Sequence, residues 1–270
     1  MNPFFEMLSY GFMLRALIAG ILIAAPAALT GVTLVLRKNS MIGDGLSHTA
    51  FGAFAIATVL NLTPLWFAIP TVIVTSFLVL NLSNNKKISG DTLIALLSAS
   101  SLAIGVVAIS VSQGVNIDLN SYLFGSILSV SWTDVFLSLL LAIVVVTFYL
   151  FLHNKIFALT FDADFAKSIG IKTKLYNMVF AVICSVTVVL GMRVLRALLI
   201  SSLIIFPTVI VMQFSKSFKR VVIYSVAISV VNFILGLLIS YFAATPTGAT
   251  VVIVNLIMLI ICTLIRQIKK

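Results

Sequence analysis

The chain has 270 residues, 61% of them hydrophobic and only 9% charged, with 17 Lys and Arg against 7 Asp and Glu, and its mean hydropathy is +1.25. A water-soluble domain carries roughly 25% charged residues, so this chain could not cover its own surface with polar groups. Apolar runs recur almost end to end, which excludes a soluble enzyme, a single-anchor protein and a nucleic-acid binder, and leaves the net charge of +10 to be explained otherwise.

Met1 to Phe12 contains Glu6 and no Lys or Arg. That is unlike a signal peptide, and the N-terminus is expected to be retained. Apolar stretches then follow at 14–36, 43–62, 64–83, 91–112, 131–152, 175–192, 197–214, 219–241 and 247–265. Each is about 20 residues, the length a hydrocarbon core of about 30 Å requires. Barrel strands alternate apolar and polar residues, whereas these runs are continuous, so the expectation is an all-α bundle of nine transmembrane helices forming one domain over 1–270.

The first stretch carries Gly20, Ala24 and Ala28 at four-residue spacing beside Pro26, a small face suited to close helix packing. The second opens on a polar island, Met41-Ile42-Gly43-Asp44-Gly45-Leu46-Ser47-His48-Thr49-Ala50. An ionisable group inside a bilayer is costly and marks function by default. Asp44 and His48 stand four residues apart, which on a helix puts both on one face about 6 Å apart. One carboxylate and one imidazole make a half-site for a divalent transition metal, and a two-fold dimer would complete it. The alternative has Asp44 capping the helix and His48 bonded to a nearby carbonyl. Asp91 opens the fourth stretch, where a carboxylate favours the helix N-terminus.

The fifth stretch ends near His153, expected at its solvated mouth, and leads into the connection from His153 to Lys174. There Asp162 is placed to cap a short helix and Gly170 to end it, with Phe165, Ala166 and Ile169 as its apolar face. That face must cover either the base of the bundle or a groove on a soluble partner. Cys184 and Cys262 lie in separate apolar runs and suggest neither a disulfide framework nor a CxxC metal site.

Fourteen of the 17 basic residues fall in alternate connections: Arg37 and Lys38; Lys86 and Lys87; Lys155 to Lys174; Lys216, Lys219 and Arg220; and Arg266, Lys269 and Lys270 after the last stretch. The connections at Asn61–Thr63, Gln113–Val130 and Ala243–Pro246 hold none, and only Arg15, Arg193 and Arg196 lie elsewhere. The positive-inside rule then sets the C-terminus in the cytoplasm and, with nine spans, the N-terminus outside. The basic balance reports insertion geometry. No GxxxxGK[ST] loop or HExxH is present, so the chain is read as a non-enzyme whose motor, if it has one, is another protein.

With these residues in view, the whole chain resembles the membrane permease subunit of the zinc/manganese/iron type of ATP-binding-cassette importers. The resemblance is carried by Val35-Leu36-Arg37 leading into Gly43 to His48, by Phe161 to Ile171, by Ala197-Leu198-Leu199-Ile200 through Pro207, and by Pro246-Thr247-Gly248-Ala249-Thr250. It implies a bacterial plasma-membrane homodimer, two cytoplasmic ATPase subunits gripping the helix around Phe165, and an extracytoplasmic binding protein that delivers the metal. It also implies that Asp44 and His48 meet the ion in transit, with no permanently bound cofactor. Asp162, Phe165, Ala166 and Gly170 become the ATPase-coupling residues. Asp118-Leu119-Asn120-Ser121-Tyr122-Leu123-Phe124-Gly125 looks like the zinc branch, which favours zinc over manganese. Arg196, where the family commonly has a small residue, and Ala244, where it often has an acid, depart from the pattern. The rival expectation is a metal carrier driven by an ion gradient, for which Asp44 alone could exchange protons.

Overall fold

The computed structural model describes residues 10–83, 90–112 and 130–268. They form ten helices: α1 Gly11–Leu36, α2 Met41–Val59, α3 Pro64–Ser83, α4 Gly90–Val111, α5 Trp132–Phe161, α6 Ala163–Ser168, α7 Thr173–Leu195, α8 Ala197–Met212, α9 Phe218–Ala243 and α10 Thr247–Ile268. The fold is an all-α polytopic membrane bundle.

Each of the nine apolar stretches is helical, but among the described residues six helices, not nine, are long and apolar enough to cross a bilayer: α1, α4, α5, α7, α9 and α10. The expectation of nine spans counted continuous hydropathy without asking what surrounds each run. α8 is shorter, Ala197–Met212, and α2 carries the polar island. α8 packs on α1, α2, α7, α9 and α10, and α2 on α3, α4, α7 and α8. A helix enclosed by longer neighbours is shielded by protein and need not match the bilayer by itself.

Close approaches hold this core. A Cβ at Gly31 of α1 would stand 1.9 Å from the backbone oxygen of Ile204 in α8, so only a glycine lets those helices meet. About three turns nearer the start of α1, on the small face anticipated there, a Cβ at Gly20 would fall inside the Phe233 ring of α9, and the Ala24 carbonyl accepts a hydrogen bond from Ser229 Oγ at 3.0 Å. On the other side of α1, Leu29 and Val32 pack with Leu141, Val145 and Tyr149 of α5.

The fifth stretch was expected to end at 152, but α5 continues to Phe161. Its polar residues His153, Asn154 and Lys155 are compatible with a helix, which stops only where Asp162 turns extended to cap α6. His153 therefore lies within a helix, half-buried, with its ring packed on Phe218 at 5.2 Å between centroids.

Candidate metal site

α2 begins at Met41, right after a short turn, so Asp44 lies in its first turn and His48 one turn on. The Asp44 carboxylate gains from the helix N-terminal amides there without serving as the cap, which is Ser40. His48 Nε2 is 3.6 Å from Asp44 Oδ2, and the two side chains are 26% and 42% exposed. His48 Nδ1 is buried and has no hydrogen-bond partner among the described residues. The capping alternative is thus not what the chain adopts: neither side chain is tied up by a backbone group.

The residues between these two turn inward. Ser47 Oγ donates to the Gly43 carbonyl at 2.8 Å and lies 3.3 Å from Ser201 Oγ of α8. The position of a Gly43 Cβ is 3.1 Å from Ile204 Cδ1, and that of a Gly45 Cβ is 2.4 Å from Ile94 Cγ2 of α4. Small residues at 43, 45 and 47 thus let α4 and α8 close on α2 and turn Asp44 and His48 to the remaining, half-open face. Ile204 is eight residues from the end of α8 at Met212, so the pair is level with a point about 12 Å in from that end.

The turn before α2 is anchored. Arg37 Nη1 donates to Asn177 Oδ1 of α7 at 2.9 Å, and its guanidinium lies 5.6 Å from the centroid of the Phe180 ring. Burial holds the Arg37 guanidinium below its ordinary range. Lys38 closes the turn at φ 59°. Among the described residues no group of three or more His, Cys, Asp or Glu converges, so one chain offers two protein ligands, not four.

At the basic end of the bundle, α6 forms as the sequence anticipates. Asp162 Oδ1 accepts from the Phe165 amide at 2.8 Å, and Gly170 ends the segment at φ +82°. The apolar face divides. Ala166 is fully buried against the bundle, while Phe161, Phe165 and Ile169 are each more than half exposed. Of the four residues assigned to coupling, Phe165 offers surface, Ala166 seats the helix, and Asp162 and Gly170 set its limits.

Two polar groupings were not anticipated. Arg193 Nε donates to Asp134 Oδ1 at 2.6 Å, and Ser131 donates through both its amide and its hydroxyl to Oδ2, so a capping box and an ion pair share one carboxylate. In the core, Asn232 Nδ2 of α9 donates to Asn255 Oδ1 of α10 at 2.7 Å, and Asn255 Nδ2 to Ser202 Oγ of α8 at 2.9 Å. Two asparagines within apolar runs were the available signal. Arg196 has φ 75° and ψ 164° and Ala244 φ 50°. Beside Arg196 the helices still meet closely, since a Gly191 Cβ would fall 2.4 Å from Ile200 Cδ1. The segment Asp118 to Gly125 lies outside the described residues.

The model of the ABC 3 transport family matches residues 9–266. The chain is 28% identical over 258 residues to the high-affinity zinc uptake system membrane protein ZnuB of Haemophilus influenzae, covering 96% of this chain and 99% of that protein. It is 27% identical over 252 residues to the manganese import system permease protein ScaB of Streptococcus gordonii, covering 93% and 90%. A solved structure, PsaBC from Streptococcus pneumoniae in complex with Fab, superposes with a TM-score of 0.85 at 26% identity, covering 96% of this chain and 94% of that one.

Proposed function

The chain belongs to the ABC 3 transport family, and on that premise we propose that it is the permease subunit of an ATP-driven importer carrying a divalent transition metal, zinc in preference to manganese, into the cytoplasm. The observation that carries this reading is the Asp44–His48 pair, 3.6 Å apart on a half-open face, with a buried imidazole nitrogen that no described residue satisfies. Two copies around a two-fold axis would bring two carboxylates and two imidazoles to one path, a full set for tetrahedral zinc. Such a mixed, partly open set suits transit, because an ion held with the strength of a structural zinc site, about 10 kcal/mol or more, would not be released.

The basic end faces the cytoplasm, with the C-terminus there. Cytoplasmic ATPase subunits grip α6 through Phe165 and its exposed neighbours, and ATP turnover rocks the halves between outward and inward access. A metal-binding protein delivers the ion at the opposite end. Preference for zinc rests on the sequence of Asp118 to Gly125 and on similarity to a zinc uptake protein, against similarity of the same order to a manganese importer.

Uptake of radiolabelled zinc and manganese into sealed vesicles, with and without the ATPase partner and with ion gradients collapsed, tests this reading. ATP-dependent zinc uptake that persists without a gradient is expected. Uptake that ignores the ATPase and stops when the gradient collapses would replace the importer with a secondary carrier.

A further inference from the structure

A cavity of about 530 Å³ opens between α5 and α9 over Leu29 of α1. It is separate from the Asp44–His48 site: Gly31, which faces α8 and so the level of Asp44, lies on the opposite side of α1 from Leu29. The lining has a chemical gradient. Its deeper part is apolar, with Leu29, Val146 and Leu150, together with Val222 and Ile223 of α9. Its shallower part, toward the basic end, presents His153, Asn154 and Lys219.

Among the described residues no Asp or Glu lines the cavity. Among the described residues Lys219 and Asn154 make no hydrogen bond or ion pair, and both are exposed. The Tyr149 hydroxyl at the wall is already engaged by Thr33 Oγ1 at 2.6 Å, and the His153 ring is braced by Phe218. A groove that is apolar at depth and carries a free ammonium and an amide toward the basic end matches a phospholipid along its length. The ammonium selects the charge of that lipid.

We propose that this groove is a binding site for an anionic phospholipid from the leaflet at the basic end, with one acyl chain along Leu150, Val222 and Ile223 and the phosphate at Lys219 and Asn154. The site does not depend on which metal the chain carries, so its failure would leave the transport reading untouched.

The test reconstitutes the full chain in vesicles of equal phosphatidylglycerol and phosphatidylcholine, re-extracts it gently, and counts retained lipids by mass spectrometry. Phosphatidylglycerol is expected to be retained about five-fold over phosphatidylcholine, the effect of one lysine at an anionic headgroup. Lys219→Gln should bring the ratio close to one, whereas Lys216→Gln, outside the groove, should leave it unchanged. Leu150→Trp, which fills the apolar part, should lower retention of both lipids. Equal retention in the wild type, or a preference indifferent to Lys219→Gln, would overturn the proposal. So would an efficient disulfide between two copies carrying Ile223→Cys, which would show a second chain seated in the groove.

Discussion

Arg193 in the last turn of α7 donates through Nε to Asp134 in the first turn of α5, fastening two membrane-crossing helices at the end away from the basic clusters. Asp134 is 9% exposed, so it depends on this partner, although Ser131 also donates to it. Arg193→Ala should lower the unfolding free energy by about 2 kcal/mol, below the cost of breaking a fully buried pair. Arg193→Lys should recover part of the loss. Thermal unfolding of the purified chain reads both, and an unchanged midpoint in Arg193→Ala would show the pair to be energetically idle.

Among the described residues the Asp44 and His48 side chains hold no hydrogen bond to the rest of the fold, so their removal separates function from folding. Asp44→Asn and His48→Ala should each cut metal uptake by more than the roughly 10- to 100-fold that loss of an outer-sphere partner costs a metal site. Melting temperature should stay near the wild-type value. Unaltered uptake in both variants would remove these residues from the ion's path.

Gly31→Ala and Gly11→Ala form a matched contrast within α1. The new methyl at 31 would press into the Ile204 backbone, while at 11 no described residue comes within 4 Å. Gly31→Ala should cost about 3 kcal/mol or prevent folding, since backbone cannot step aside as a side chain can. Gly11→Ala should be neutral or stabilising by up to about 1 kcal/mol. Circular dichroism melts and the yield of folded chain distinguish them.

Arg196 sits at φ 75° and ψ 164°, a region that glycine alone enters cheaply. Arg196→Gly should relieve about 1 to 3 kcal/mol of backbone strain, less whatever its side-chain contacts contribute. A net rise in melting temperature is expected, and a fall would mean that those contacts outweigh the strain.

Phe165 is exposed while Ala166 beneath it is fully buried, so substitutions one residue apart should fail differently. Phe165→Asp should abolish ATP-dependent uptake and co-purification of the ATPase with little effect on stability. Ala166→Phe should destabilise the α5–α7 base by about 1 to 3 kcal/mol through overpacking. Normal ATPase capture by Phe165→Asp would refute docking at α6.

Local signals in the sequence were the ones the chain obeyed most closely. Every continuous apolar run became a helix, and the Asp162 cap and Gly170 stop define α6 because both act within a few residues of themselves. Hydropathy could not say which runs cross alone. α8 can be short where α1, α2, α7, α9 and α10 enclose it, and nothing in Ala197–Met212 records its neighbours. The spacing of Asp44 and His48 put them on one face. That their face stays open depends on Ile94 and Ile204 meeting Gly45 and Gly43 from other helices. Nothing local in the sequence joined Arg193 to Asp134, because they are 59 residues apart in the chain.

Adjacent serines give α8 a mechanical character. Ser201 engages Ser47 beside the turn that bears Asp44 and His48, while Ser202 engages Asn255 on another flank. Rolling α8 about its own axis would tear at both attachments together, whereas sliding with its neighbours preserves them. A shift beside α2 would therefore reach α10 through Asn255 and α9 through Asn232, and the core helix ties the two sides of the bundle together.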